Sequence, residues 1–148
     1  MYKTARLRKK YFPIILAGLV LLLILTRCAV ESGRRNPKVQ DAGDIAAFLS
    51  AFGWQVEAEP VTIKNVQIPA RFTEVYEQYN ALQKRQGFDL SRHRADVVES
   101  YTFRILNHPA SGDVFANVLV FRGRVIGGDI CSFAMNGFMT GLNGQPMT

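Results

Sequence analysis

Two cysteines, two histidines and a pair of neighbouring glutamates are the residues whose chemistry could go beyond packing. Cys131 lies in "GGDICSF" (127–133), beside Asp129 and Ser132. A thiol becomes a nucleophile only when a base or its surroundings lower its pKa. His93 and His108 are the only histidines. His108 just precedes the turn that leads into the partner strand, so a Cys131–His108 pair is the thiol dyad to consider. Set against it is the commoner use of such a residue, a buried structural cysteine in a strand. Glu57 and Glu59 fall on one face of an alternating stretch, and two carboxylates could divide acid–base work; a solvated strand face is the commoner reason for such a pair. A metal centre needs three or four converging ligands, which two histidines and two cysteines do not supply when Cys28 sits at the end of an apolar run. A Cys28–Cys131 disulfide would tie that run to the domain, but no disulfide framework is evident.

No cofactor motif is present. "IGGD" (126–129) lacks the Lys and Ser/Thr of a phosphate loop and the helix that should follow it. Gly127 and Gly128 read instead as a bulge or a close backbone approach, by a helix or by a ligand. The candidate interaction residues are therefore Gly127, Gly128, Asp129, Cys131 and His108, with no catalytic, cofactor or metal residue assigned.

The elements that must position these residues follow from periodicity. "DAGDIAAFLSAFGW" (41–54) puts Ile45, Phe48, Leu49 and Phe52 on one helical face, with Asp41 or Asp44 to cap it and Gly53 to end it. Trp54, Val56 and Ala58 alternate with polar residues as in a half-buried strand that Pro60 interrupts, so an edge strand or two short strands are expected over 54–69. "RFTEVYEQYNALQKRQG" (71–87) is a helix with Phe72, Val75, Tyr76, Tyr79 and Leu82 as its stripe, Thr73 as cap and Gly87 as stop. Strands follow at 97–106, 114–121 and 125–133, with "RGR" (122–124) as a hairpin turn. "VFANVLVF" (114–121) is apolar on both parities and belongs inside the sheet. The expected fold is α+β: an N-terminal single transmembrane helix, then a small domain with two helices packed on one face of a mostly antiparallel sheet. Phe48, Phe52, Phe72 and Tyr76 would then rest on Phe103 and Val118.

Charge separates the chain into two parts. Nine basic residues face Glu31 alone from Met1 to Val39, a balance of +8; from Gln40 onward nine basic face eleven acidic residues, a balance of −2. The basic excess thus belongs to the flanks of an apolar segment, and no basic stripe with interleaved aromatics marks a nucleic-acid surface. "YFPIILAGLVLLLILT" (11–26) carries no charge; extended to residue 30 it would span about 30 Å as a helix, the thickness of a hydrocarbon core. The expected organisation is a basic start (1–10), a signal anchor in the lipid bilayer (11–30), a linker (31–40), the domain (41–142) and a flexible tail (143–148). The basic cluster ahead of the span favours a cytoplasmic N-terminus and an extracytoplasmic domain. "LTRC" (25–28) is close to a lipidation motif, but Arg27 stands where a small residue is needed, so a lipoprotein anchored through Cys28 is the alternative rather than the expectation.

"FLSAFGWQVEAEPV", "IPARFTEVYEQYNALQKRQGFDLSRHR", "YTFRILNHP" and "VFRGRVIGGDICSFAMNGFM" together resemble a bacterial family of small membrane-linked or exported proteins known only as a domain of unknown function, over about residues 44–142. The resemblance implies a membrane-linked, extracytoplasmic setting and no catalytic residue or cofactor. The function expected is a non-catalytic interaction or ligand-binding module with an envelope protein as partner. The alternatives are an envelope enzyme using Cys131 or Glu57/Glu59, and a cytoplasm-facing membrane-tethered adaptor.

Overall fold

The computed structural model describes residues 36–146 apart from 135. Helix α1 spans Ala42–Ser50. Asp41 precedes it in extended backbone, and its carboxylate accepts the Asp44 N–H at 3.0 Å, satisfying one of the donors that a helix start leaves over. Helix α2 spans Glu74–Arg85, with the Thr73 hydroxyl accepting the Tyr76 N–H at 3.3 Å. Glu74 and Glu77 in its first turn and Lys84 and Arg85 in its last follow the helix dipole. A 3₁₀ turn, Leu90–His93, joins α2 to the strands that follow.

The strands are β1 (Thr62–Gln67), β2 (Val97–Arg104), β3 (Val114–Phe121), β4 (Arg124–Ser132) and β5 (Met139–Thr140). They lie in that order in one sheet, and every neighbouring pair is antiparallel. Arg122 and Gly123, at φ +49° and +68°, form the β3–β4 turn, both left-handed as the tightest hairpins require. Directly after it the register shifts: Val120 pairs Val125 but Leu119 pairs Gly127, leaving Ile126 as a bulge.

Each face of this sheet carries its own core. On one, Ile45 and Leu49 of α1 pack with Phe103, Ala116, Val118, Ile130 and Leu142. On the other, Ile68, Leu90, Val98, Leu119 and Ile126 gather beneath Phe72, Tyr76 and Tyr79. β3 serves both, which is why it is apolar on both parities.

The expected fold class requires correction on two counts. Among the described residues no helix is long and apolar enough to cross a membrane; the longer of the two helices has 12 residues. The span expected over 11–30 lies outside the described residues. What these residues form is two helices and a five-stranded, wholly antiparallel sheet. The helices moreover lie on opposite faces. Phe48 joins Phe103 and Val118, whereas Phe72 and Tyr76 pack on the other side. Stacking both helices on one face would have left half of β3's apolar residues in water.

Smaller differences lie at the edges. Val56 makes only a single bridge to Ile105, and the edge strand begins after Pro60. Part of the stretch read as a linker belongs to the domain: Val39 is buried, donates to the Gly123 carbonyl at 2.9 Å, and Val125 donates to the Pro37 carbonyl at 3.0 Å. Residues 143–146 are also held, by Gly141 N–H to Gln145 O at 2.8 Å and Arg85 to Pro146 O at 2.8 Å. With the sheet between them, Ile45→Val and Ile68→Val should each lower stability by about 0.5–1.5 kcal/mol. Chemical denaturation of the double variant should show those effects adding within about 0.5 kcal/mol; strong coupling would contradict the two-faced core.

Candidate functional site

The stretch Gly127–Cys131 lies on β4, and β5 runs along only the last part of its outer edge. β5 pairs only with Ile130 and Cys131, so the backbone at Gly128 has no strand neighbour outside. Two glutamines of the α2 region take that place. Gln83 accepts the Gly128 N–H at 2.9 Å, and Gln86 donates to the Gly128 carbonyl at 3.0 Å. The Gln86 carbonyl also accepts the Leu142 N–H at 2.6 Å. This approach is close: a Cβ on Gly128 would stand 2.7 Å from the Asn117 carbonyl and 3.0 Å from Leu142, and one on Gly127 would stand 3.0 Å from Gln83. Gly127 is therefore where α2 comes up against the strand, and Gly128 where β3 and the C-terminal segment close in from the other face. Gln83 Nε2 is buried with no partner.

Asp129 is 3% exposed and anchors a polar chain across the sheet. Tyr79 donates to one carboxylate oxygen at 2.7 Å and Asn117 to the other at 2.9 Å. The Asn117 carbonyl accepts from the Thr102 hydroxyl at 2.8 Å, and its amide also lies 3.3 Å from Cys131 Sγ. Burial pushes the Asp129 carboxyl above the usual carboxylate range, although hydrogen bonds from Asn117, Tyr79 and Cys131 pull the other way. Burial, reinforced by the neighbouring Asp129 charge, likewise holds the Tyr79 phenol well above its ordinary value. The same two causes push the Cys131 thiol up to about 11. A group so poorly ionised, and only 4% exposed, is the opposite of an activated nucleophile.

His108 is not brought to Cys131. It is sandwiched between Trp54 and Phe138, with ring centroids 5.4 and 5.2 Å away and planes within 23°. Trp54 and Phe138 pack on the α1 side of the sheet, whereas Cys131 pairs Phe115 and meets Asn117 on the α2 side. His93 Nδ1 lies 3.2 Å from Asp96. Glu57 is spent on Arg104, at 3.2 Å, and no strand forms to align it with Glu59. Among the described residues no group of three metal-capable side chains converges.

The residues that sequence reading missed are the polar ones facing inward: Asn80, Gln83, Gln86 and Asn117. Asn80 bridges α2 to the 3₁₀ turn, accepting the Leu90 N–H at 2.8 Å and donating to Asp89 at 3.3 Å. A signal was present, since Tyr76, Tyr79, Asn80 and Gln83 follow i, i+3, i+4, i+7, but hydrophobic counting favours Val75, which is 74% exposed.

Architecture and site together define a small α+β domain whose antiparallel sheet is covered by one helix on each face and crossed by a buried tyrosine–aspartate–asparagine chain. A family model described as a domain of unknown function, DUF4830, matches residues 48–130, and the chain belongs to that family. No curated protein and no solved structure matches the chain.

Two outcomes follow from the buried groups. In the folded protein at pH 7.5, Cys131 should react with iodoacetamide at least a hundredfold more slowly than in the denaturant-unfolded chain, read by mass spectrometry of the peptide that contains it; comparable rates would mean an accessible thiolate. Asp129, with a folded pKa above the unfolded value of about 3.9, keeps its proton longer in the folded state. Its contribution to stability is thus fully present below the unfolded pKa and is lost as pH rises through the folded one. Urea midpoints from pH 4 to 7 should therefore show Asp129→Asn gaining on the natural protein as pH rises. A pH-independent difference would refute the shift.

Proposed function

We propose that this chain is a non-catalytic recognition module acting at a membrane, outside the cytoplasm, with an envelope protein as its partner. The observation that carries the non-catalytic reading is the inward, mutually satisfied placement of Cys131, Asp129, Asn117 and Tyr79. A catalytic group must reach its substrate and hold or accept a proton near the working pH. Here the thiol is buried and pushed up to about 11, and His108, the histidine that could have paired with it, lies beyond the sheet. Membrane placement is supported by the uncharged stretch 11–26 behind a basic cluster, and an outward domain by the position of that cluster at the chain start.

The test pairs two reporters fused after Thr148 in the natural host. An export-dependent reporter should be active and a cytoplasm-only reporter silent, with the fusion in the membrane fraction; the reverse pattern would overturn the location. In the same cells, crosslinking should yield a discrete adduct of the whole chain that residues 1–40 alone do not form. Capture of nothing beyond that control would remove the recognition reading.

A further inference from the structure

One hollow on the surface gathers two arginines and a histidine from separate parts of the chain. It has a volume of about 320 Å³ and is lined by Arg92 and His93 of the 3₁₀ turn, Arg124 at the start of β4, Asn36, Asp89 and Gly87, with Ile126 as its apolar contribution. That size is at the lower end for small-ligand sites. Each of these side chains has a group of the fold beside it. Arg92, exposed along most of its length, places Nε 3.7 Å from Asp89. His93 leans on Asp96 through Nδ1 at 3.2 Å and on the Phe121 ring at 5.2 Å. Arg124 donates one terminal N–H to the Asn36 carbonyl at 3.3 Å, and Asn36 is itself tied to the Val125 carbonyl at 2.9 Å.

Asp89 is the one carboxylate among the described residues of the lining, and its Oδ1 is already engaged. It accepts from Asn80 at 3.3 Å and from the Ser91 N–H and hydroxyl at 3.1 and 2.7 Å, and has Lys84 at 3.9 Å. Its charge is offset by the cations it orients. A guanidinium has five N–H donors, so Arg92, whose Nε faces Asp89, has its terminal fork to offer, and Arg124 has donors beyond the one on Asn36. Such planar forks match the oxygens of a phosphate group in a bidentate way.

The geometry points to a binding site for a phosphate group between Arg92 and Arg124, with Asp89 beside Arg92 and the Asn36 carbonyl beside Arg124. A lipid headgroup and a free phosphate ester share this chemistry. The site does not require the membrane placement proposed above, so each can fail alone.

The test uses the full chain in non-ionic detergent micelles and phosphate-free buffer, following the backbone N–H resonances of positions 92 and 124, which every variant keeps. Inorganic phosphate should shift both signals saturably, with an affinity that weakens as sodium chloride is raised. Arg124→Gln should weaken binding about tenfold, and Arg92→Gln with Arg124→Gln should abolish it. Because both side chains are at the surface, thermal midpoints should stay unchanged, and Arg71→Gln, outside the hollow, should bind as the natural chain does. A second arm places the chain in phosphatidylcholine discs with and without phosphatidylglycerol. Saturable shifts with inorganic phosphate alone support the site and assign it to a free phosphate ester; stronger shifts with phosphatidylglycerol support it and assign it to a headgroup. Shifts that never saturate in either arm, or that persist in the double variant, overturn it.

Discussion

The outer edge of β4 at Gly128 is the constraint on which much of the structure turns. β5 is too short to cover it, and an unpaired backbone N–H and C=O in a buried setting costs as much as a lost hydrogen bond each. The chain meets the need with side-chain amides instead of another strand. Gln83 and Gln86 satisfy both groups, and Gln86 reaches on to Leu142. This fixes how α2 lies against the sheet, leaves little room for a side chain at residue 127, and draws the C-terminal segment back over the opposite core, where Leu142 is fully buried and crowds residue 128.

With α2 held in this way, Tyr79 arrives over Asp129. A carboxylate placed inside a protein without a cation is expensive unless hydrogen bonds replace its water. The two oxygens of Asp129 are taken by donors from a helix and from the neighbouring strand. The polar chain therefore joins α2, β2, β3 and β4 with directional contacts, in a region where apolar packing alone would allow a helix to slide. Such networks specify one arrangement when every member is satisfied. This also explains why a motif that looked chemical, "GGDICSF", turns out to be structural: the carboxylate, the thiol and both glycines each face another part of the protein.

Much of the local architecture could be read from the chain. Asp41 and Thr73 cap the helices as their residue types suggest, and Gly123 sits at the left-handed position of its hairpin. The apolar parity of β3 identified it as internal, and it contained the clue to a second covered face that the expected architecture did not use. Less legible was the inward face of α2. Asn80 and Gln83 are 1% and 0% exposed, and a polar side chain is buried only because partners far along the chain await it. For Gln83 that partner is 45 residues away, and no local pattern encodes the meeting.

What the sequence determined by itself was the two helices and the three long strands in their order, their caps and turns, the central strand, and the concentration of basic charge before residue 40; the strand expected at 54–58 does not form and β5 was not foreseen. These follow from periodicity, backbone preference and composition, all of which act within a few residues. Only the tertiary structure decided which face each helix covers, that His108 and Cys131 are parted by the sheet, and that Tyr79, Asn117 and Asp129 form one chain. Periodicity says which residues share a side of an element, but the choice of neighbour for that side is made by long-range packing and by the need to satisfy every buried polar group.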